Sequence, residues 1–462
     1  MAHLSLEMVL EATGGRLQGP TDSINGLSFT AVSTDSRSVR AGELFVALKG
    51  QRYDGHDFVV EAMRRGAAAA IVSEPIAAAG AGAAVLIQVN DTLEAMGRIA
   101  AAHRSRFALP VVAITGSVGK TTTKEMTAQI LSQRFRVLKT EENYNNEIGV
   151  PLTALKLEPS HQAAVFEIAM RGPGEIAWLA RIIKPGIGLV TNISVTHIER
   201  LGSIGAIAAA KAELLREMSA DSAAILNADD DNSRAMQAAA RGKVVTFGVN
   251  RPADVTAREV SVGPTGAAQF RLVTGKGESL VRLAVPGRHN VANALAAAAA
   301  ALQAGASMED ARLGLESAAL GKHRLQIITS ARGFTILDDC YNANPDSMIA
   351  ALEVLGELQA RRRMAVLGDM LELGPKADEM HRLVGREAAK CGLALLVVAG
   401  DFARQLREGA LEGMAEDQVI AAGDVGQCAE IILRAAGPGD AVLVKASRAV
   451  AFERIVERLA SG

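Results

Sequence analysis

The stretch VVAITGSVGKTTTKE carries the clearest chemistry in the chain. A buried-strand pattern, Val111–Ile114, runs into Thr115, Gly116, Ser117, Val118, Gly119, Lys120, Thr121 and Thr122, and a helix pattern then begins. Glycines let successive backbone N–H groups turn toward phosphate oxygens, and a helix N-terminus adds partial positive charge. In that setting Lys120 reaches the β/γ-phosphates of a nucleotide and the Thr121 hydroxyl binds Mg2+. The strict motif has a further glycine five positions before Gly119, where this chain has Ile114. The alternative is an ordinary glycine-rich strand–helix turn. GRHN at Gly287–Asn290 lacks the dinucleotide spacing, which disfavours NAD.

Phosphoryl transfer needs metal ligands beyond the loop. Glu167 ends the apolar run AAVFEI, where a parallel strand delivers side chains to the active edge. TNISVTHIERLGS follows another strand end and offers His197, as a ligand or as a structural loop histidine. Lys211, in GAIAAAKAELL, reads from sequence as a solvated helix lysine. Asn290 and Asn293 open the Ala-rich helix, as caps or as contacts to a nucleotide base. Further on stand Arg324 and the adjacent carboxylates Asp338 and Asp339, which are costly to bury without cations or donors. DDCYNANPDS, with Asn342, Asn344 and Ser347, suits a polar peptide ligand or makes an Asx-rich turn. KASR sets two cations, Lys445 and Arg448, after the last strand.

These residues must be held by more than one core. The chain has 462 residues, which at about 100–200 per domain implies two to four domains. Hydrophobic residues are 49% and charged residues 22%, a globular composition, and the net charge of -2 supports neither a nucleic-acid-coating surface nor a polybasic membrane anchor. Aromatics, at 3%, are too few for a base-stacking platform. Cys340, Cys391 and Cys428 stand apart without CxxC, so neither a disulfide framework nor a thiolate zinc site is expected. The N-terminus lacks a secretory pattern and no apolar run reaches bilayer length, so a reducing cytoplasm and no membrane insertion are expected. Strand runs alternate with helix patterns, which predicts an α/β fold built on parallel sheets. Three domains are expected: a small α/β module over 1–85, a central parallel-sheet ATPase domain with the phosphate loop over 86–318, and a doubly wound, Rossmann-like domain over 319–462. Within the second, 243–285 reads as a small antiparallel extension.

Across nearly its whole length the chain resembles the Mur ligase superfamily. TGSVGKTTTKE is similar to that family's ATP loop, and ENYNNEIGVPLT to the segment that follows it. STDSR, GELFVALKG and DGHDF resemble the UDP-sugar-binding first domain. DDCYNANPDSM, VLGDMLELG and His381 resemble the branch that joins D-alanyl-D-alanine to UDP-N-acetylmuramoyl-tripeptide, whereas the DNPR-type motif of the diamino-acid branch is absent from the sequence. The resemblance implies a cytoplasmic step of peptidoglycan precursor synthesis, with ATP and Mg2+ as cofactors, an acyl-phosphate intermediate, and no nucleic acid; a monomer is expected. It implies metal contacts from Thr121, Glu167, His197 and Lys211, the last carbamylated, with Lys120, His197 and Lys211 catalytic. It implies nucleotide contacts from Gly116–Thr122, Asn290, Asn293, Arg324, Asp338 and Asp339. Substrate contacts follow for Ser33, Thr34, Asp35, Ser36, Arg37, Asn145, Asn146, Asn342, Asn344, Ser347 and Arg448. The family usually has glycine where Ala446 stands in KASR, and MRGPGEI alters the run after Glu167. Competing readings are another amide ligase of this architecture, folylpolyglutamate synthase-like for one, and a P-loop ATPase switch that needs no acceptor substrates.

Overall fold

Short apolar runs separated by helices assemble into three main sheets in the computed structural model, which describes residues 4–18, 26–50, 52–76, 85–194 and 198–462. The first segment contributes β1 (Leu4–Ser5), β2 (Arg16–Gln18), β3 (Ser28–Phe29), β4 (Val32–Ser33), β5 (Leu44–Val46), β6 (Ala69–Val72) and β7 (Leu86–Gln88). Five of them form a sheet in the order β2-β7-β6-β5-β4, parallel except for the β2–β7 edge. β7 belongs to this sheet, which therefore runs just past residue 85. β5 and β6 are wholly buried, as expected for parallel strands covered on both faces.

The phosphate-loop region contributes β8 (Val111–Thr115), β9 (Val137–Lys139), β10 (Ala163–Glu167), β11 (Ile187–Val190), β12 (Ala223–Asn227), β13 (Lys243–Gly248), β14 (Val255–Val262), β15 (Ala267–Thr274) and β16 (Gly277–Pro286). Their order is β16-β15-β14-β13-β12-β11-β8-β10-β9. β10 pairs parallel with both β8 and β9, which puts Glu167 beside Ile114 at the carboxyl edge. The antiparallel extension is β14–β15–β16; β13, read from sequence as part of it, pairs parallel with β12 and β14. Alternating hydrophobicity marks a strand but not its partner. The helix Asn290–Gln303 is buried almost throughout, because its run of alanines lets backbone approach backbone closely.

The last region holds β17 (Gln326–Thr329), β18 (Thr335–Asp338), β19 (Arg363–Leu367), β20 (Leu395–Val398), β21 (Val419–Ala421) and β22 (Ala441–Lys445), ordered β17-β18-β22-β19-β20-β21. Only the β17 edge is antiparallel. Two apolar clusters line this sheet, one around Leu337, Leu352 and Val384 and the other around Ile336, Val442 and Ile455. By compactness the chain divides into two units: Met1–Ile114 with Phe135–Gly188 and Glu213–Ser222, and Thr115–Arg134 with Leu189–Ala212 and Ala223–Gly462. Among the described residues no helix is long and apolar enough to cross a membrane.

Candidate active site

The loop after β8 is fixed by its neighbours rather than by its own turn. Ser117 N–H donates to the Asn192 carbonyl and Val118 N–H to Asn192 Oδ1, both at 2.9 Å. Thr191 Oγ1 donates to the Val118 carbonyl at 2.7 Å, and Ser194 N–H donates to Ser117 Oγ at 2.9 Å. Gly116 has φ 143° and Gly119 φ 84°, and a Cβ would stand 1.9 Å from Thr191 Oγ1 at the first and 2.3 Å from Asn293 Oδ1 at the second. Glycine is thus required twice over, by backbone conformation and by close packing. Helix Lys120–Leu131 starts directly behind, so the positive end of its dipole faces the loop.

Two lysines converge on one carbonyl oxygen. Lys120 Nζ donates to Gly116 O at 2.9 Å and to Ser117 O at 3.1 Å, and Lys211 Nζ donates to the same Gly116 O at 2.9 Å. Lys211 is 1% exposed, so the solvated-lysine alternative falls. Burial, with Lys120 adding to it, pushes the Lys211 amine well below the usual lysine range. A neutral amine is the form that can react with CO2.

Glu167 is buried at the end of β10, where Asn145 Nδ2 donates to it at 2.8 Å. Asn146 instead accepts from Gly149 N–H at 2.9 Å and Ile148 N–H at 3.2 Å, bracing the start of helix Gly149–Leu155. Asn290 is the first residue of its helix and not its cap: its Nδ2 donates back to the Pro286 carbonyl at 2.6 Å. Asn293 Nδ2 donates to Asn290 Oδ1 at 2.8 Å, while its Oδ1 is 3.4 Å from Thr123 Oγ1. The pair thereby ties this helix to the phosphate-loop helix. His197 lies outside the described residues.

In the last region the polar residues largely satisfy one another. Asp338 is buried; His323 Nδ1 lies 2.8 Å from it, and Cys340 Sγ and N–H both donate to its Oδ1. Burial, then Asp338, pushes the Cys340 thiol up, which makes it inert. Asp339 pairs with Lys445 and accepts from Leu325 N–H at 3.1 Å; burial pushes its carboxyl up against the opposing pull of Lys445. Asn344 caps helix Pro345–Glu357 in a reciprocal box with Ser347, the Asx-turn alternative. The Asn342 side chain is exposed, and its carbonyl accepts from Lys445 Nζ at 2.9 Å. Arg324 lies over the Tyr341 ring at 4.0 Å, and Arg448 at 6.0 Å from the same centroid. His381 is buried, accepts from Met370 N–H at 2.9 Å and stacks on Phe402, a structural post.

In the first region Asp35 accepts from Arg37 through N–H, Nε and Nη2 at 2.8–2.9 Å, and that hydrogen bonding holds its carboxyl at about 2. Ser33 Oγ braces the same turn, Ser36 is buried, Thr34 is half-buried and Arg37 is exposed. Sequence reasoning missed Thr191, Asp230, which accepts from Ile193 N–H at 2.6 Å, and Tyr341. The first two follow strand ends on the carboxyl edge, the one signal that could have found them.

Three family models cover most of the chain: Mur ligase family, catalytic domain at 28–104, Mur ligase middle domain at 114–301, and Mur ligase, glutamate ligase domain at 323–448. A curated UDP-N-acetylmuramoyl-tripeptide--D-alanyl-D-alanine ligase of Synechocystis is 39% identical, covering 93% of this chain and 91% of its own. The crystal structure of MurF from Acinetobacter baumannii superposes with TM-score 0.91 at 35% identity, covering 99% of each chain. MurF from Thermotoga maritima, solved in complex with ADP, gives TM-score 0.81 at 28% identity over 93% of this chain and 96% of that one. The chain belongs to the Mur ligase family.

Proposed function

We propose that the chain is an ATP-dependent ligase that joins D-alanyl-D-alanine to UDP-N-acetylmuramoyl-tripeptide, releasing ADP and phosphate. The observation that carries this reading is the phosphate loop, with Lys120 and Lys211 on the Gly116 carbonyl, in a chain related over nearly its full length to ligases of that name. A carboxylate is a poor electrophile. One of its oxygens attacks the γ-phosphorus, ADP departs, and the acyl carbon then carries phosphate as a leaving group. The dipeptide amine attacks that carbon, loses a proton, and phosphate is expelled. The difficulty is to bring anions together. Lys120 and the N-terminus of helix Lys120–Leu131 offset the repulsion at the phosphates.

Taken singly, Thr121 and Glu167 carry oxygens that suit Mg2+, and Lys211 does so on one condition. Glu167 is a buried carboxylate at the active edge, but Lys211 as an amine offers a metal no negative charge. Carbamylation converts it to an anion, and the depressed basicity of the buried amine favours that reaction. When bound, Mg2+ supplies charge stabilisation at the transferring phosphoryl group. Ser33–Arg37 would receive the UDP moiety. Asn342 and Arg448 remain the best placed for the dipeptide, since Asn344 and Ser347 are engaged with each other. UDP-linked precursors place the reaction in the cytoplasm. Phosphate release measured with each acceptor alone and with both tests the reading: release is expected only with both, and release with neither would favour an ATPase switch.

A further inference from the structure

Arg324 is held in place more rigidly than a half-buried surface arginine needs to be. The residues on either side, His323 and Leu325, adopt left-handed backbone conformations, φ 61° and 49°, that side-chain-bearing residues rarely take. Both are strapped to the same neighbouring segment: Tyr341 N–H donates to the His323 carbonyl at 3.0 Å, and Leu325 N–H donates to Asp339 Oδ1 at 3.1 Å. His323 is tied a second time through Asp338 at 2.8 Å. Between these straps the Arg324 guanidinium lies over the Tyr341 ring at 4.0 Å. Its neighbour Arg448, farther from the ring, has an acceptor in Glu453 at 3.5 Å. Arg324 forms no ion pair and donates no hydrogen bond among the described residues. A guanidinium whose face is stacked and whose N–H edge is unspent is set to receive an anion edge-on.

We infer that Tyr341 is a positioning residue that fixes the Arg324 guanidinium, face on ring, with its N–H edge presented to the terminal phosphate of the nucleotide. This rests on the proposed reading of Arg324 as a nucleotide contact. It assigns the tyrosine inside DDCYNANPDS to the nucleotide and not to the dipeptide.

The test is steady-state kinetics on the full-length enzyme with ATP and dipeptide varied in turn. Tyr341→Leu should raise KM for ATP about tenfold while KM for the dipeptide stays put. Tyr341→Phe, which keeps the π face, should behave as wild type. Tyr341→Leu combined with Arg324→Gln should be no worse than Arg324→Gln alone. Losses that add, a defect in Tyr341→Phe, or a change confined to the dipeptide KM would overturn the inference. Should Tyr341→Leu not fold, Tyr341→Met fills the space without the π face and is read the same way. If wild type shows no ligation, the functional reading fails by itself. The coupling of Tyr341 to Arg324 is then read by titrating a non-hydrolysable ATP analogue into the same variants, where additive losses again overturn it.

Discussion

The phosphate loop and the DDCYNANPDS loop are both dense in polar residues at strand ends, yet they use them in opposite ways. Around the phosphate loop, Thr191 and Asn192 spend hydrogen bonds on the backbone of Ser117 and Val118, Ser194 N–H donates to the Ser117 hydroxyl, and two lysine amines are crowded onto the Gly116 carbonyl. Burial first, and Lys120 beside it, hold the Lys211 amine below the usual lysine range, so the two amines do not act as two cations. In DDCYNANPDS the groups pair off internally: Asp338 with His323 and Cys340, Asp339 with Lys445, Asn344 with Ser347. What is left for a ligand there is Arg324 and the exposed Asn342. The difference teaches that a run of amides and carboxylates overstates the number of ligand contacts. Much of it builds the loop that presents the few groups with capacity to spare.

The comparison breaks first at Lys120. Lys120→Ala removes the cation at the phosphates while leaving helix Lys120–Leu131 a good helix former, so ligation should fall about a hundredfold or more with the fold intact. Near-normal turnover in a folded variant would remove the nucleotide site from this loop. Lys211→Ala should be almost as damaging, because it deletes the proposed carbamate. Small carboxylates in the assay should restore part of the activity; full activity without them would leave Lys211 a packing residue.

A smaller effect is expected at Gly119. Alanine there must hold φ 84° and clash with Asn293 Oδ1 at 2.3 Å, costing about 1–3 kcal/mol. Pairing it with Asn293→Ala relieves the clash but not the backbone strain, so the double variant should recover only part of the lost unfolding free energy. Complete recovery would show that the φ requirement is weak. On the other loop, Asn344→Ala should cost about 1 kcal/mol in urea unfolding, the worth of a helix cap, with the dipeptide KM little changed. A large rise in that KM at unchanged stability would return Asn344 to the ligand side.

How much of this was legible depended on which forces leave a local trace. Buried parallel strands such as Val111–Thr115 and Leu395–Val398 announce themselves as apolar runs. β17 does not, because an edge strand alternates half-buried and exposed residues, and β21 is only 3 residues long. The phosphate loop was legible because its glycines and lysine are adjacent in sequence. The convergence of Lys211 on it was not: IGAIAAAK is an unremarkable helix end, and only the fold brings it to the Gly116 carbonyl. Tyr341 was hidden in the same way, since nothing local pairs it with Arg324.

The smallest effect concerns pH and His289, at the start of the Asn290–Gln303 helix. Burial of its ring, with Lys445 adding to it, lowers its pKa from 6.5 to about 4. In the unfolded chain the imidazole binds a proton near its ordinary value, while in the folded chain it stays neutral until well below that. Between these two values the unfolded state holds more protons, so stability falls as pH drops from about 6.5 toward 4 and the loss levels off below. Since His289 keeps some exposure, the loss should be about 1–2 kcal/mol. Burial likewise lowers the pKa of His103 and His381, so the test must isolate one residue. Urea unfolding of wild type and His289→Asn at pH 7.5 and pH 5 does so. The variant should lose less stability than wild type between the two conditions, whereas the turn around Asp35, whose carboxyl is held at about 2, stays ionised across the whole range. Equal losses in the two proteins would mean that His289 gains its proton in the folded state as readily as in the unfolded one, and that the neighbouring Lys445 does not weigh on it.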